Sequence, residues 1–541
     1  MGRIPDSGSR TNPRAYQLRT RYMKASATRW LTRALATVAG IVAGGLTLGV
    51  GELVAVAVDP PAAPFLAVGN TFVDLTPEWL KSFAIRTFGE NDKQVLLLGM
   101  GVVLFVVSAA GGLLELWRRW AGVAVLAALG VVAAAAALNR PGAGATWILP
   151  TVAGVLAGAA VLALLVGALR TPAPDADSLE PASGARSDRR RFLLLTAAAA
   201  GLAVLTAAGG RRFGQSLQAV LEAREEVRLP RPVAPAPVVP DGVALDVDGV
   251  TRFTTPNRDF YRVDTALDVP KVSPDEWRLT IRGMVEREVE LDFDDVLGLD
   301  LVERMITLTC VSNEVGGELA GNAVWLGYPL ARLLERAGPR PEADMLLSTS
   351  VDGFTASTPL QAIMDGRDAL LAVGMNGEPL PLDHGFPARL VVPGLYGYVS
   401  ATKWVTELEL TRFDRATAYW TDRGWAAEAP IKIASRIDVP GSFGDVTAGS
   451  AVVAGVAWAQ RRGIAAVEVQ VDDGDWRPAE LADEASIDTW RQWFFEWDAE
   501  PGNHTLRVRA TDGDGELQTD EQVPPFPDGS SGWHSVVVRV S

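Results

Sequence analysis

A chain of 541 residues exceeds what one ordinary domain holds, so about three folding units are expected. A net charge of -15 beside a positive mean hydropathy is an odd pairing for a soluble protein, and it resolves when the chain is divided near Arg212. The first part is rich in Ala, Val, Leu and Gly; the acidic excess lies in the rest, which offers no basic stripe for phosphates and so argues against a nucleic-acid partner.

In chain order, residues 1–30 form a basic tail holding Arg10, Arg14, Arg19, Arg21, Lys24 and Arg29. A membrane-crossing helix needs about 20 apolar residues. Five runs within 31–210 approach this: 31–58, 95–117, 121–138, 146–169 and 192–208. The basic tail should stay cytoplasmic, and alternation then puts Arg118 and Arg119 inside, together with Arg186 and Arg189 to Arg191. Five crossings leave everything after Ala208 outside the cytoplasmic membrane. The run Asp188-Arg189-Arg190-Arg191-Phe192-Leu193-Leu194 resembles a twin-arginine export signal, the route by which a domain already folded around a cofactor would cross.

Residues 211–245 are expected to be a linker, with the Pro-rich stretch 229–237 an extended spacer. From 246 to 438 strands alternate with short helices. Strands are expected over 277–283 and 305–310, a short helix over 293–297 stopped by Gly298, and another over 328–337. Cys310, the sole cysteine, falls where a strand gives way to the loop 311–317. One cysteine rules out an intramolecular disulfide and any four-cysteine cluster. The three histidines, His384, His504 and His534, lie beyond the apolar half, so no histidine pair can hold a haem in the membrane. Electrons passing through this protein need another protein to deliver or collect them.

Thr307-Leu308-Thr309-Cys310, then 325–330, the run Met375-Asn376-Gly377-Glu378-Pro379-Leu380, and His384-Gly385-Phe386-Pro387-Ala388-Arg389 through Gly394 to Lys403-Trp404 resemble the sulfite oxidase superfamily of molybdopterin enzymes. The resemblance covers about half the chain, from Phe253 onward. It implies an α+β molybdopterin domain at 246–438 whose metal ligand is Cys310, since molybdenum favours soft sulfur donors. It further implies that His384, Arg389 and Lys403 hold the pterin's phosphate and ring edges, with His384 as a donor and Asn257 and Arg262 contributing. Tyr419 and Arg423 would line the catalytic pocket.

The resemblance fails at one place. Family members that oxidise sulfite set arginines around the metal, and the corresponding positions here are Glu314, Val315 and Asp264, with Arg262 two residues off. Carboxylates there oppose a dianionic substrate, so sulfoxide reduction stands beside sulfite oxidation as an activity, and a non-catalytic membrane binding or sensor module is the reading from another class.

By the same resemblance 433–437 closes the cofactor domain, and 439–541 is an immunoglobulin-like β-sandwich of the dimerisation type, supported by alternation at Val467, Val469 and Val471 and at Leu506, Val508 and Ala510. Trp490, Trp493 and Trp497 are expected in its core. The whole is then a membrane-anchored oxidoreductase that transfers an oxygen atom to or from a small molecule and exchanges electrons with a cytochrome or quinone-linked carrier.

Overall fold

The computed structural model describes residues 13–541 apart from short stretches between 78 and 90, residues 141–142 and most of 171–215. The chain divides into two compact units, Met1–Gln215 and Ser216–Ser541.

The first unit is helical: α1 (Pro13–Val58), α2 (Pro64–Leu75), α3 (Asp92–Trp117), α4 (Ala121–Leu138) and α5 (Leu149–Leu169). Four helical spans are long and apolar enough to cross a membrane, Arg29–Val58, Lys93–Trp117, Ala121–Leu138 and Ala145–Leu169, and they match the first four runs. The fifth run lies largely outside the described residues, as does the twin-arginine motif. Small residues let these helices touch backbone to backbone. A Cβ on Gly112 would lie 2.0 Å from the Ala36 carbonyl oxygen, and one on Gly40 2.0 Å from that of Ser108. Glu115 is buried because its carboxylate accepts the backbone N–H groups of Trp120 (2.9 Å) and Gly122 (3.0 Å), which satisfies donors at the start of α4.

The second unit opens with α6 (Ser216–Glu226). The following Pro-rich stretch is extended, as proline dictates, but it does not hang free as a spacer. The Val233 N–H donates to the Leu301 carbonyl (2.8 Å), and Glu303 N–H donates to that of Ala234 (2.9 Å). Arg224 also donates to the Pro379 and Leu380 carbonyls. Prolines set local extension but leave alternate carbonyls and N–H groups available, and these pair with the neighbouring strand.

Ten strands follow: β1 (Arg278–Gly283), β2 (Val289–Asp292), β3 (Val302–Thr309), β4 (Ala320–Pro329), β5 (Met345–Ser350), β6 (Thr355–Pro359), β7 (Leu370–Met375), β8 (Glu378–Pro379), β9 (Arg389–Val391) and β10 (Val405–Thr411). They form one sheet of order β2-β1-β10-β5-β6 and another of order β3-β4-β7-β8, with β9 on β7. Four short helices fill the connections: α7 (Phe293–Leu297), α8 (Leu330–Glu335), α9 (Leu360–Met364) and α10 (Gly397–Ser400). α7 starts where expected because Asp292 and Asp295 form a reciprocal capping box. The helix expected over 328–337 begins later, since Tyr328 and Pro329 pair with β7 and extend β4.

The C-terminal strands are β11 (Ala434–Val439), β12 (Asp445–Val446), β13 (Gly449–Trp458), β14 (Ile464–Val471), β15 (Arg477–Pro478), β16 (Glu480–Leu481), β17 (Arg491–Ala499), β18 (Gly502–Asp512) and β19 (His534–Val540). Two sheets, β11-β13-β17-β16 and β12-β19-β18-β14-β15, bury one shared core that includes Val467, Val469, Leu506, Val508, Trp493 and Trp497. Trp490 departs from expectation. It joins the core of the preceding domain, where its indole N–H donates to the Phe253 carbonyl at 2.8 Å. The segment 433–437 also differs: β11 pairs with β13, and Ile437 alternates into the C-terminal core.

Candidate cofactor site

β3 ends at Thr309, and Cys310 follows with its N–H bonded to the Leu319 carbonyl and its own carbonyl accepting the Asn313 N–H. Only 8 % of Cys310 is exposed. Burial pushes its thiol up, and hydrogen bonding from Ser312 offsets this in part. Two phenols share these surroundings. Burial raises the Tyr261 hydroxyl, and the charge of a Cys310 thiolate would raise it further. Tyr396 is pushed up to about 12 chiefly by burial, with Asp528 and Cys310 adding to it. A Cβ on Gly397 would lie 3.8 Å from the Thr309 carbonyl and 3.9 Å from the Tyr261 hydroxyl, which places that phenol beside the end of β3.

Arg389 opens β9 and is buried. Its guanidinium donates to the carbonyls of Leu390, His384 and Ala401 and lies 5.0 Å from the centre of the Trp325 ring. Among the described residues no carboxylate pairs with it, and burial holds it down to about 10. An uncompensated buried cation is expensive, so this position calls for an anion.

His384 lies on the short turn before β9, edge-on to Phe260 with ring centres 5.5 Å apart. Its Nε2 sits 3.0 Å from the Asn257 carbonyl. A carbonyl only accepts, so Nε2 carries the proton. Burial and the nearby Arg389 hold His384 down to about 4, leaving a neutral ring whose Nδ1 accepts. The expected donor therefore presents a lone pair unless an arriving anion protonates it.

Lys403 donates to Asp264 Oδ2 at 2.6 Å and to the Asp383 carbonyl at 3.1 Å. Burial holds it down to about 8, against the pull of Asp264. Arg262 reaches the same carboxylate at 2.9 Å and Asp383 Oδ1 at 3.4 Å. The Asn257 side chain is tied to Glu378 and Asn376, and its carbonyl is what reaches the site. Asn376 and Gly377 both have positive φ and make the tight turn between β7 and β8.

His384, Asn257, Arg389, Lys403 and Arg262 are thus gathered by hydrogen bonds and the Asp264 ion pairs, and Tyr261 lies within electrostatic reach of both Arg389 and Cys310. Tyr419 and Arg423 belong to an aromatic wall. The Arg423 guanidinium lies 3.6 Å from the Tyr419 ring centre, and the rings of Tyr419, Trp420, Trp425 and Tyr398 follow at 5.0, 6.2 and 5.8 Å. Tyr261, Tyr396 and Asp264 were not singled out as site residues from sequence. In the sequence Asp264 stands out only as a charge opposed to sulfite, and its ion pairs with Lys403 and Arg262 are supplied by the fold.

A buried thiol at a strand end and a buried guanidinium that no described carboxylate pairs with, both within electrostatic reach of Tyr261, suit an anionic cofactor with a soft metal. The profile of the oxidoreductase molybdopterin binding domain matches residues 266–420. Rat mitochondrial sulfite oxidase is 29% identical over 340 residues, 53% of this chain and 62% of its own length. The uncharacterized oxidoreductase YuiH of Bacillus subtilis is 33% identical over 150 residues, 28% of this chain and 72% of that protein. The sulfane dehydrogenase SoxCD of Paracoccus pantotrophus, a solved structure, is 24% identical, with a TM-score of 0.46 over 54% of this chain and 84% of that one. The chain spans 62% of the length of the rat sulfite oxidase it matches. It belongs to the molybdopterin-binding oxidoreductases of the sulfite oxidase superfamily, whose cofactor is molybdenum–molybdopterin. The residues present fit that cofactor: a soft thiol for the metal and an unbalanced buried cation for the phosphate.

Proposed function

We propose that this protein is a membrane-bound enzyme that moves an oxygen atom to or from a small molecule outside the cytoplasmic membrane and passes electrons to a separate carrier. The observation that carries the chemistry is a buried thiol at Cys310, just after β3, together with the buried Arg389 guanidinium, both within electrostatic reach of Tyr261. When bound, the cofactor supplies a two-electron redox centre. Cys310 contributes the thiolate, and because its thiol is held up in the bare chain, proton release accompanies ligation. Arg389 and Lys403 would hold the pterin phosphate, and His384, with Nε2 on the Asn257 carbonyl, would present Nδ1 to the cofactor as an acceptor. Tyr261 and Tyr396, both kept protonated by burial, exclude water and offer hydroxyl donors to a substrate oxygen.

The surroundings of Cys310 favour an uncharged substrate over sulfite. Asp264 is matched by Lys403 and Arg262, and Glu314 and Val315 follow Cys310 where sulfite-oxidising family members set arginines. A carboxylate in that position opposes a dianion. A sulfoxide-type oxygen donor fits better. The four apolar helices support a membrane anchor, and the positive-inside pattern puts the catalytic unit outside once the run 192–208 is counted as a fifth crossing. The shared core of the two C-terminal sheets supports an immunoglobulin-like sandwich suited to dimerisation. To test this reading, purified full-length protein is offered dimethyl sulfoxide with a reduced viologen dye, and sulfite with an oxidised dye. Turnover is expected on the sulfoxide and is lost in Cys310→Ser. Sulfite turnover as fast, or turnover that survives Cys310→Ser, overturns it.

A further inference from the structure

The loop 311–317, which follows Cys310, is held from outside its own domain. Three residues from two segments of the C-terminal two-sheet domain grip it. Arg436, on β11, donates from Nη1 to the Gly317 carbonyl at 2.8 Å, while its other nitrogens hold Asp438 (2.6 Å) and Thr251 (2.7 Å). Ser530, in the loop before β19, donates its hydroxyl to the Asn313 carbonyl at 2.6 Å. His534, the first residue of β19, packs its ring on Gly316, where a Cβ would lie 2.2 Å from a ring carbon. That imidazole is itself oriented, since its Nδ1 accepts the Ile437 N–H at 3.0 Å.

The strand before Cys310 is gripped as well. Thr307 donates its N–H to the Asp488 carbonyl (3.0 Å), its hydroxyl accepts the Trp490 N–H (2.8 Å), and its carbonyl accepts from Gln460 (3.1 Å). The edge of β3 at Thr307, beyond the stretch paired by residues 233–234, is therefore closed by the C-terminal domain. The loop's own bonds are local: Asn313 N–H to the Cys310 carbonyl, Gly317 N–H to the Glu314 carbonyl, and Leu319 N–H to Asn313 Oδ1, with Ser312 bonded to Cys310. A loop whose own ties are all local also takes its order from what packs on it.

We propose that Arg436, Ser530 and His534 are positioning residues that hold the 311–317 loop in the form presenting Cys310, so that the C-terminal domain is part of the cofactor site's machinery. The proposal rests on Cys310 being the metal ligand, as argued above. Its test does not use turnover. Hydrogen–deuterium exchange is followed on the peptide spanning Cys310 to Leu319 in full-length, purified protein, and molybdenum per chain is measured on the same samples. Removing one hydrogen bond shifts a local opening equilibrium about fivefold. Exchange in this peptide is therefore expected to quicken about fivefold in Ser530→Ala and His534→Ala, to return to the wild-type rate in Ser530→Thr, and to stay at that rate in Val467→Ala, which loosens the C-terminal core elsewhere. Wild-type exchange in both alanine variants at the loop overturns the proposal, as does equal quickening in Val467→Ala. A wild-type protein without molybdenum, from a host that makes the cofactor, sinks the ligand reading instead and leaves the exchange result to judge the clamp.

Discussion

Lys403 and Asp264 form a buried ion pair 2.6 Å apart, and Arg262 shares the same carboxylate oxygen. The residue that opposes sulfite on electrostatic grounds is therefore the one that keeps two cations of the site in place. Removing one member of a buried pair leaves the other charge uncompensated, at about 3–5 kcal/mol. Asp264→Asn is expected to lower stability by about that amount, read as a fall in thermal midpoint. Asp264→Asn with Lys403→Met should recover part of it, and an unchanged midpoint in the single variant would count against the pair.

His384 and His534 are both held down to about 4 from an ordinary 6.5, the first by burial and Arg389, the second by burial and Arg436. Each is neutral in the fold and takes up a proton on unfolding as pH falls through that window. The unfolded chain then binds more protons, so stability is lost as pH drops from about 6.5 toward 4. Thermal midpoints measured across this range should fall, and His534→Gln should flatten the fall. A midpoint flat from 6.5 to 5 in the wild type contradicts the assignment.

Among the described residues the Arg389 guanidinium donates hydrogen bonds to backbone carbonyls alone. Charge-assisted bonds contribute about 1.5–3 kcal/mol each. Arg389→Met is expected to reduce cofactor retention about tenfold or more, measured as pterin released on denaturing washed protein. Full retention would remove Arg389 from the phosphate site.

The basic tail and the Arg118-Arg119 pair predict an orientation that a fusion can report. Alkaline phosphatase, active only outside the cytoplasm, should be active when fused after Ser541 and inactive when fused after Arg119. The reverse pattern would place the catalytic unit in the cytoplasm.

What was legible in the sequence was what local chemistry decides. Cys310 lies just after β3 because β-branched residues end at a Gly-containing loop, and α7 starts at Asp292 through its capping box. The four helical spans follow from apolar length. Partners distant in sequence were not legible. Asp264 meets a lysine 139 residues away, and nothing local announces it. Ser530 reaches Asn313 across 217 residues. The prolines of 229–237 predict extension but not the strand on which it docks. His384 was recognised, yet its tautomer depends on the Asn257 carbonyl, which only the fold supplies.

The central claim is that Cys310 ligates the metal of a molybdenum–pterin cofactor. Its most direct test is molybdenum and pterin per chain in full-length wild type and in Cys310→Ser, both from a host able to make the cofactor. Near one molybdenum and one pterin per wild-type chain, with pterin kept but the metal's sulfur coordination altered by X-ray absorption in Cys310→Ser, is the predicted result. Wild-type protein lacking both, or a metal environment identical in the two proteins, would contradict it.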